Sequence, residues 1–184
     1  MKSKRDWKIK SSKEIYKNPW IEIIEDQVVR PDGRDGIYGY IKNHSAVMIV
    51  PEDDDGNIVL VNQYRYPSNQ DYWELPAGAT DHAQDFKEMA EQELFEETGI
   101  KAKEMILLGE YIEFALCMTN KNYAYLAKGF NSDFLKDNSE GDEIINKIKT
   151  FTVEEVKQMI RDNVIQNSPS LAVLNLYFSH KNKI

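Results

Sequence analysis

Residues 73–100 read WELPAGATDHAQDFKEMAEQELFEETGI, and this stretch decides the fold. A turn-forming Leu75-Pro76-Ala77-Gly78 run gives way to a pattern in which Phe86, Met89, Ala90 and Leu94 recur at helical spacing. Asp85 stands where an N-cap is needed, and Gly99 where a helix ends in a left-handed residue. A helix is therefore expected from about Asp85 to Thr98. Glu93, Glu96 and Glu97 fall at i, i+3 and i+4 on it, so their carboxylates share roughly 100° of its circumference. Like charges so placed repel by about 0.2–0.5 kcal/mol per pair in water. Either all three turn to solvent or a cation compensates them. Hard divalent ions that take oxygen ligands, Mg²⁺ first and Mn²⁺ as a substitute, are the natural candidates. Alone, the triad reads as a solvated helix face. Gly78, Gly99 and the preceding Leu75-Pro76-Ala77, at their fixed spacing, favour a site.

The bulk composition sets limits. The 184 residues, 41% hydrophobic and 29% charged, suit one domain with a substantial core. No apolar run approaches the ~20 residues of a membrane span, and the basic N-terminus has no apolar segment behind it. A net charge of −8 argues against nucleic acid as a partner, because that needs a basic stripe. It leaves room for a small anionic ligand, since a metal can reverse the local sign. One cysteine, Cys117, excludes an internal disulfide and suits a reducing cytoplasm; as a small apolar residue it reads as packing.

Outward from the helix, the N-terminal half is rich in β-branched and aromatic residues. Lys13–Tyr16, Trp20–Val29, Tyr38–Ile41, Ser45–Val50 and Ile58–Tyr64 read as strands of a mostly antiparallel sheet. They are divided by turn clusters at Pro31–Gly36 and Asp53–Asn57. The acidic run Asp53–Asp55 is only a turn, for it lacks the alternating oxygen ligands of a calcium loop. After the helix, strands are expected at Met105–Phe114, Tyr123–Lys128 and around Asn146–Phe151. Helices should follow at Val153–Asn163, capped by Thr152, and at about Ser168–Ser179, with Pro169 in its first turn. The polar stretch Asp137–Glu143 reads as a loop. The class is α+β.

From Gly78 to Ile100 the chain resembles the Nudix box, G-x5-E-x7-R-E-U-x-E-E-x-G-U with U aliphatic. Gly78, Glu93, Leu94, Glu96, Glu97, Gly99 and Ile100 match, while Gln84 and Gln92 replace the first glutamate and the arginine. The flanks, Val61–Pro67 and Trp73–Gly78, resemble the ADP-ribose and nucleoside-diphosphate-sugar pyrophosphatase branch. An N-terminal pair of strands before the catalytic domain does so too. The proline that members of that branch often carry beyond the box is missing from Ala115–Thr119.

The resemblance implies a Nudix-type α/β/α sandwich with a mixed sheet and N-terminal antiparallel strands. Residues 1–42 would form a dimer-making extension and residues 43–184 the Nudix domain. It also implies Mg²⁺-dependent hydrolysis of the pyrophosphate bond in a nucleoside diphosphate linked to a sugar, releasing nucleoside monophosphate. Glu93 and Glu97 would be metal ligands, Glu96 a further ligand or bridge, and the Ala77 carbonyl another. Gly78 would let the entry loop approach the helix, and Arg65 would grip the substrate's pyrophosphate. A water-activating base is expected from Glu140, Asp142 or Glu143, with Glu143 favoured because an aliphatic pair follows it; it could equally be an additional ligand.

Because both departures are glutamines, they replace an ion pair by a neutral pair able to hydrogen-bond. Three readings stand side by side. The first is the hydrolase. The second is a catalytically weak Nudix module that senses such nucleotides, and the third a Nudix-fold isomerase or a hydrolase of another phosphorylated compound. Trp7, Tyr16 and Trp20 could stack on a base, but packing is the plainer role. His44 and His82 lack partners at metal-ligand spacing and read as surface polar residues.

Overall fold

Val47, Met48, Ile49 and Val50 are all buried, which explains an apolar run without polar alternation: the strand that carries them is covered on both faces. The computed structural model describes residues 6–80, 85–136 and 145–182. In chain order the elements are β1 (Lys8–Lys17), β2 (Ile21–Val29), β3 (Asp35–Asn43), β4 (Ser45–Pro51), β5 (Ile58–Arg65), β6 (Gln70–Glu74) and β7 (Ala77–Thr80). Then come α1 (Phe86–Thr98), β8 (Glu104–Tyr111), β9 (Asn122–Lys128), β10 (Ile145–Phe151), α2 (Val153–Arg161) and α3 (Ser168–Lys181). Among the described residues no helix is long and apolar enough to cross a membrane. The chain divides into two units, Met1–His44 with Ile112–Lys121, and Ser45–Tyr111 with Asn122–Ile184.

The first unit is an antiparallel sheet in the order β1-β2-β3. β2 and β3 pair without interruption from Ile21↔Asn43 to Val29↔Asp35. The turn between them is closed by the Gly33 N–H, which donates to the Arg30 carbonyl at 2.8 Å. Ile24, Asp26 and Val28 alternate along β2 and are buried. The segment 112–121 joins this sheet: the Ile41 N–H donates to the Cys117 carbonyl at 2.7 Å and the Tyr38 hydroxyl to the Leu116 carbonyl at 2.8 Å. Trp7 meets Tyr38 edge-on, with ring centroids 5.7 Å apart. Trp20 and Tyr16, expected to pack, are instead exposed, at 68% and 52%. Both sit where the chain turns from β1 into β2, too far out to be covered within one chain's hairpin.

The second unit contains two sheets, β7-β4-β9-β8 and β10-β5-β6. β4 and β9 run parallel, and every other pairing is antiparallel. Alternate residues divide the core in two. Met48, Val50, Leu60 and Leu126 face a cluster with Val173, Leu174 and Tyr177 of α3. Val47, Ile49, Val59 and Tyr125 face another with Met89, Ala90 and Leu94 of α1. Helices cover both sides, as an α/β/α sandwich requires.

Local chemistry sets the helix limits. Asp85 caps α1 by accepting from the Lys87 N–H at 2.7 Å, and Gly99, at φ 74°, ends it with its N–H on the Phe95 carbonyl. Few other residues take that backbone without strain. Thr152 and Glu155 form a reciprocal capping box at the start of α2. α2 ends at Arg161, two residues earlier than expected, because Asn163 adopts a positive φ of 61°. β8 stops at Tyr111, short of the expected Phe114, because the Phe114 carbonyl accepts from the Cys117 and Met118 N–H groups in a turn. β6 and β7 were not anticipated: β7 is made of small residues and β6 has only Tyr72 and Trp73 with strand preference, and pairing to β5 and β4 makes them strands.

Glu52, at the end of β4, anchors α3. Its buried carboxylate accepts from the Tyr177 hydroxyl at 2.5 Å and from Lys181 Nζ at 3.1 Å, with Lys128 Nζ at 3.5 Å. Burial alone would push this carboxyl up, but Tyr177, Lys181 and Lys128 outweigh it and hold the group below its ordinary value. The same burial, with the carboxylate beside it, raises the Tyr177 hydroxyl well above the usual tyrosine range.

Candidate active site

The loop Leu75–Gly78 is fixed from three directions. The Leu75 N–H donates to the buried Ser170 Oγ in the first turn of α3 at 3.1 Å. The Pro76 carbonyl accepts from the Ile49 N–H at 2.9 Å. The Ala77 N–H donates to Glu97 Oε2 on α1 at 3.2 Å. Ala77 and Gly78 then pair with Met48 and Val47 of β4. Each such bond contributes about 1 kcal/mol, and together they leave this backbone one position relative to α1.

The acids do not share one environment. Ala90, Leu94 and Glu97 lie on the stripe of α1 that faces the core, and Glu97 is 1% exposed. A carboxylate there needs partners, because an isolated buried charge is very costly; the Ala77 N–H supplies one. The triad is therefore not a uniformly solvated face. Glu93 is half-buried and points at Gly78, where a Cβ would overlap its carboxyl group. A glycine here leaves the Glu93 carboxyl its place. Glu96, half-buried, accepts from Gln92 Nε2 at 2.8 Å.

Other expected site residues fall differently. Arg65 was expected to be held for a substrate; it already binds the buried Glu74, with Nη2 at 2.6 Å from Oε2 and Nε at 3.2 Å. The two are four register steps apart on the β5–β6 hairpin, since Val61 faces Glu74 and Arg65 faces Gln70. Only the length of the arginine side chain lets them meet. Gln92 donates to Glu96, and Gln84, its possible hydrogen-bond partner, lies outside the described residues. So do His82 and the candidate bases Glu140, Asp142 and Glu143. His44 Nε2 sits 3.2 Å from the Pro19 carbonyl. Asp53 organises its turn by accepting from the Asp55 and Asn57 N–H groups, and also takes the Ser132 hydroxyl at 2.8 Å. Sequence reasoning missed Ser170 and Glu74. Ser170 gave no signal, whereas Glu74 sits in the quoted motif and a buried glutamate could have been suspected beside Arg65.

Among the described residues no group of three histidine, cysteine or acidic side chains is placed to hold a metal ion by itself. What is present is an open arrangement: hard oxygen donors on one helix, with the Glu93 carboxyl seated where Gly78 leaves room for it. That donor set suits Mg²⁺ or Mn²⁺, which keep positions for water and for phosphate oxygens. The residues fit such an ion.

A glycine loop strapped to an acid-bearing helix, between sheets covered by helices on both sides, is the arrangement that defines this class of domain. A family model for the NUDIX domain matches residues 42–172, and one for the nucleoside diphosphate sugar hydrolase N-terminal domain matches residues 7–41. The chain belongs to the Nudix family. It is 29% identical over 169 residues to a methanol dehydrogenase activator of Bacillus methanolicus, covering 87% of this chain and 86% of that one. It is 36% identical over 101 residues to an ADP-ribose pyrophosphatase of Mycobacterium tuberculosis, covering 54% and 49%. An ADP-ribose pyrophosphatase of Bacillus subtilis aligns at 23% over 86% and 85%. A crystal structure of an ADP compounds hydrolase, 20% identical, superposes with a TM-score of 0.85 over 100% of this chain and 98% of that one, and the fold is the same.

Proposed function

We propose that this protein hydrolyses the pyrophosphate bond of a nucleoside diphosphate linked to a sugar or similar group, as in ADP-ribose, releasing a nucleoside monophosphate. One observation carries the reading. The Glu93 carboxylate occupies the space that glycine leaves at position 78, beside a loop strapped to Glu97. The named activities of the two ADP-ribose pyrophosphatases support the substrate class.

Glu93 and Glu97 would hold Mg²⁺ or Mn²⁺, with Glu96 and the Ala77 carbonyl as further ligands. Bound there, the ions shield phosphate charge, make water more acidic and stabilise the leaving oxygen. The chain itself supplies position. Ser170, Ile49 and Glu97 hold the Ala77 carbonyl still, Gly78 admits Glu93, and Arg65 offers a guanidinium to the diphosphate. The working form is a homodimer in the cytoplasm. The N-terminal unit exposes Ile15, Tyr16, Trp20 and Ile37, apolar side chains that a second copy would cover.

Incubation with Mg²⁺ or Mn²⁺ and a panel of ADP-ribose, nucleoside-diphosphate sugars and nucleoside triphosphates tests the activity. The expected product is nucleoside monophosphate, formed from the diphosphate-linked compounds and abolished by EDTA. Tight nucleotide binding with no turnover would replace the hydrolase by the sensor. Light scattering tests the dimer.

A further inference from the structure

Glu74 is 1% exposed, yet it is ionisable and it pairs with Arg65, whose side chain remains 41% exposed. Taking a carboxylate out of water costs about several kcal/mol, and a single partly wet partner seldom repays it with a surplus. As a device for stability the pair is therefore a poor one. As a device for orientation it is effective. Nε and Nη2 of Arg65 both bind Glu74, in the fork geometry that fixes a guanidinium plane. Glu74 is itself immobile: it ends β6, pairs with Val61, and precedes Leu75, whose N–H is bound by Ser170. The clamp thus stands three residues before the backbone that carries Ala77.

We propose that Glu74 is a positioning residue, whose buried carboxylate holds the Arg65 guanidinium in one orientation for the diphosphate of the substrate. It touches neither substrate nor metal. It acts through Arg65, by removing the rotamer freedom that a long, half-exposed arginine would otherwise lose on binding. The proposal rests on the functional reading above and adds a specificity device to it: a cation held ready for two phosphates in a row.

The test is a double-mutant cycle of Glu74→Gln and Arg65→Lys. Its readout is binding of the non-hydrolysable α,β-methylene analogue of ADP-ribose, with Mn²⁺ affinity and melting temperature measured alongside. Glu74→Gln is expected to weaken analogue binding about tenfold, to raise KM more than it lowers kcat, and to leave Mn²⁺ affinity unchanged. In the Arg65→Lys background it should cost nothing further, because the guanidinium it serves is gone. Should Glu74→Gln fail to fold, Glu74→Asp keeps the charge but falls short of Arg65, and the same loss is expected. Wild-type analogue affinity in either folded variant, or losses that add in full, would overturn the positioning role alone. If the wild-type protein itself does not bind the analogue, the functional reading falls, and this role with it.

Discussion

The Ala77 nitrogen and Glu97 Oε2 lie 3.2 Å apart, and this bond ties β7 to α1. Glu97 is thus both a strap and a candidate ligand, and two substitutions separate the roles. Glu97→Gln keeps an acceptor oxygen but loses the charge; Glu97→Ala loses both. Turnover is expected to fall at least about a hundredfold in each, a range typical for removal of a preorganised electrostatic group. Only Glu97→Ala should also destabilise the fold, by about 1–3 kcal/mol, because it leaves the Ala77 N–H short of a partner. Urea unfolding of the two variants checks this, and a fully active Glu97→Gln would remove Glu97 from the chemistry.

Gly78→Ala probes the other half of the site. The added methyl would collide with the carboxyl of Glu93, the far end of a flexible side chain, while the backbone of Gly78 is not at positive φ. The helix should therefore stay in place and Glu93 should swing aside. A circular dichroism spectrum like that of the wild type, with Mn²⁺ affinity reduced about tenfold or more, is the expected pair of results.

Gln92 replaces an arginine of the family pattern and bonds Glu96 on the helix surface. An exposed i, i+4 ion pair is worth about 0.3–0.5 kcal/mol. Gln92→Arg, alone or with Gln84→Glu, is expected to change divalent-metal affinity by about threefold or less. A tenfold change in a calorimetric titration would mean that position 92 acts directly on the site.

The Glu52 cluster predicts a pH dependence of stability. Its carboxyl is held below the ordinary value in the folded chain. Its stabilising contribution is therefore complete above the unfolded carboxyl value, and it is lost as pH falls through the lower, folded one. Glu52→Ala leaves the buried Tyr177 hydroxyl without its acceptor and loses both lysine pairs, so it should unfold well before the wild type near neutral pH. The gap between the two should close as the solution is acidified. Tyr177→Phe, which removes one donor from Glu52, should cost less, about 1–3 kcal/mol. Thermal melts across an acidic pH series check the sign.

What the sequence discloses follows from how local each interaction is. The ends of α1 are legible because Asp85 bonds a residue two places on and Gly99 needs only its own φ. The capping box of α2 is legible in the same way, since Thr152 and Glu155 are three apart. The paired acids stand out because helix periodicity brings Glu93 and Glu97 together without any tertiary contact. The supports stay hidden. Ser170 meets Leu75, and Glu52 meets Tyr177, only after the sheet has formed. Arg65 and Glu74 are close in the chain, yet their pairing depends on a slanted reach across a hairpin whose second strand is only five residues long.

The parallel pairing of β4 with β9 sets Val47 beside Tyr123 and Pro51 beside Ala127. All of β5, β6, β7, α1 and β8 is looped out between those partners, and the acids of α1 and their glycine lie within the loop. Closing so long a segment has an entropic cost before any contact can reward it, which slows folding. Site assembly and global collapse must therefore coincide, so manganese capture during refolding should track the slowest kinetic phase rather than precede it.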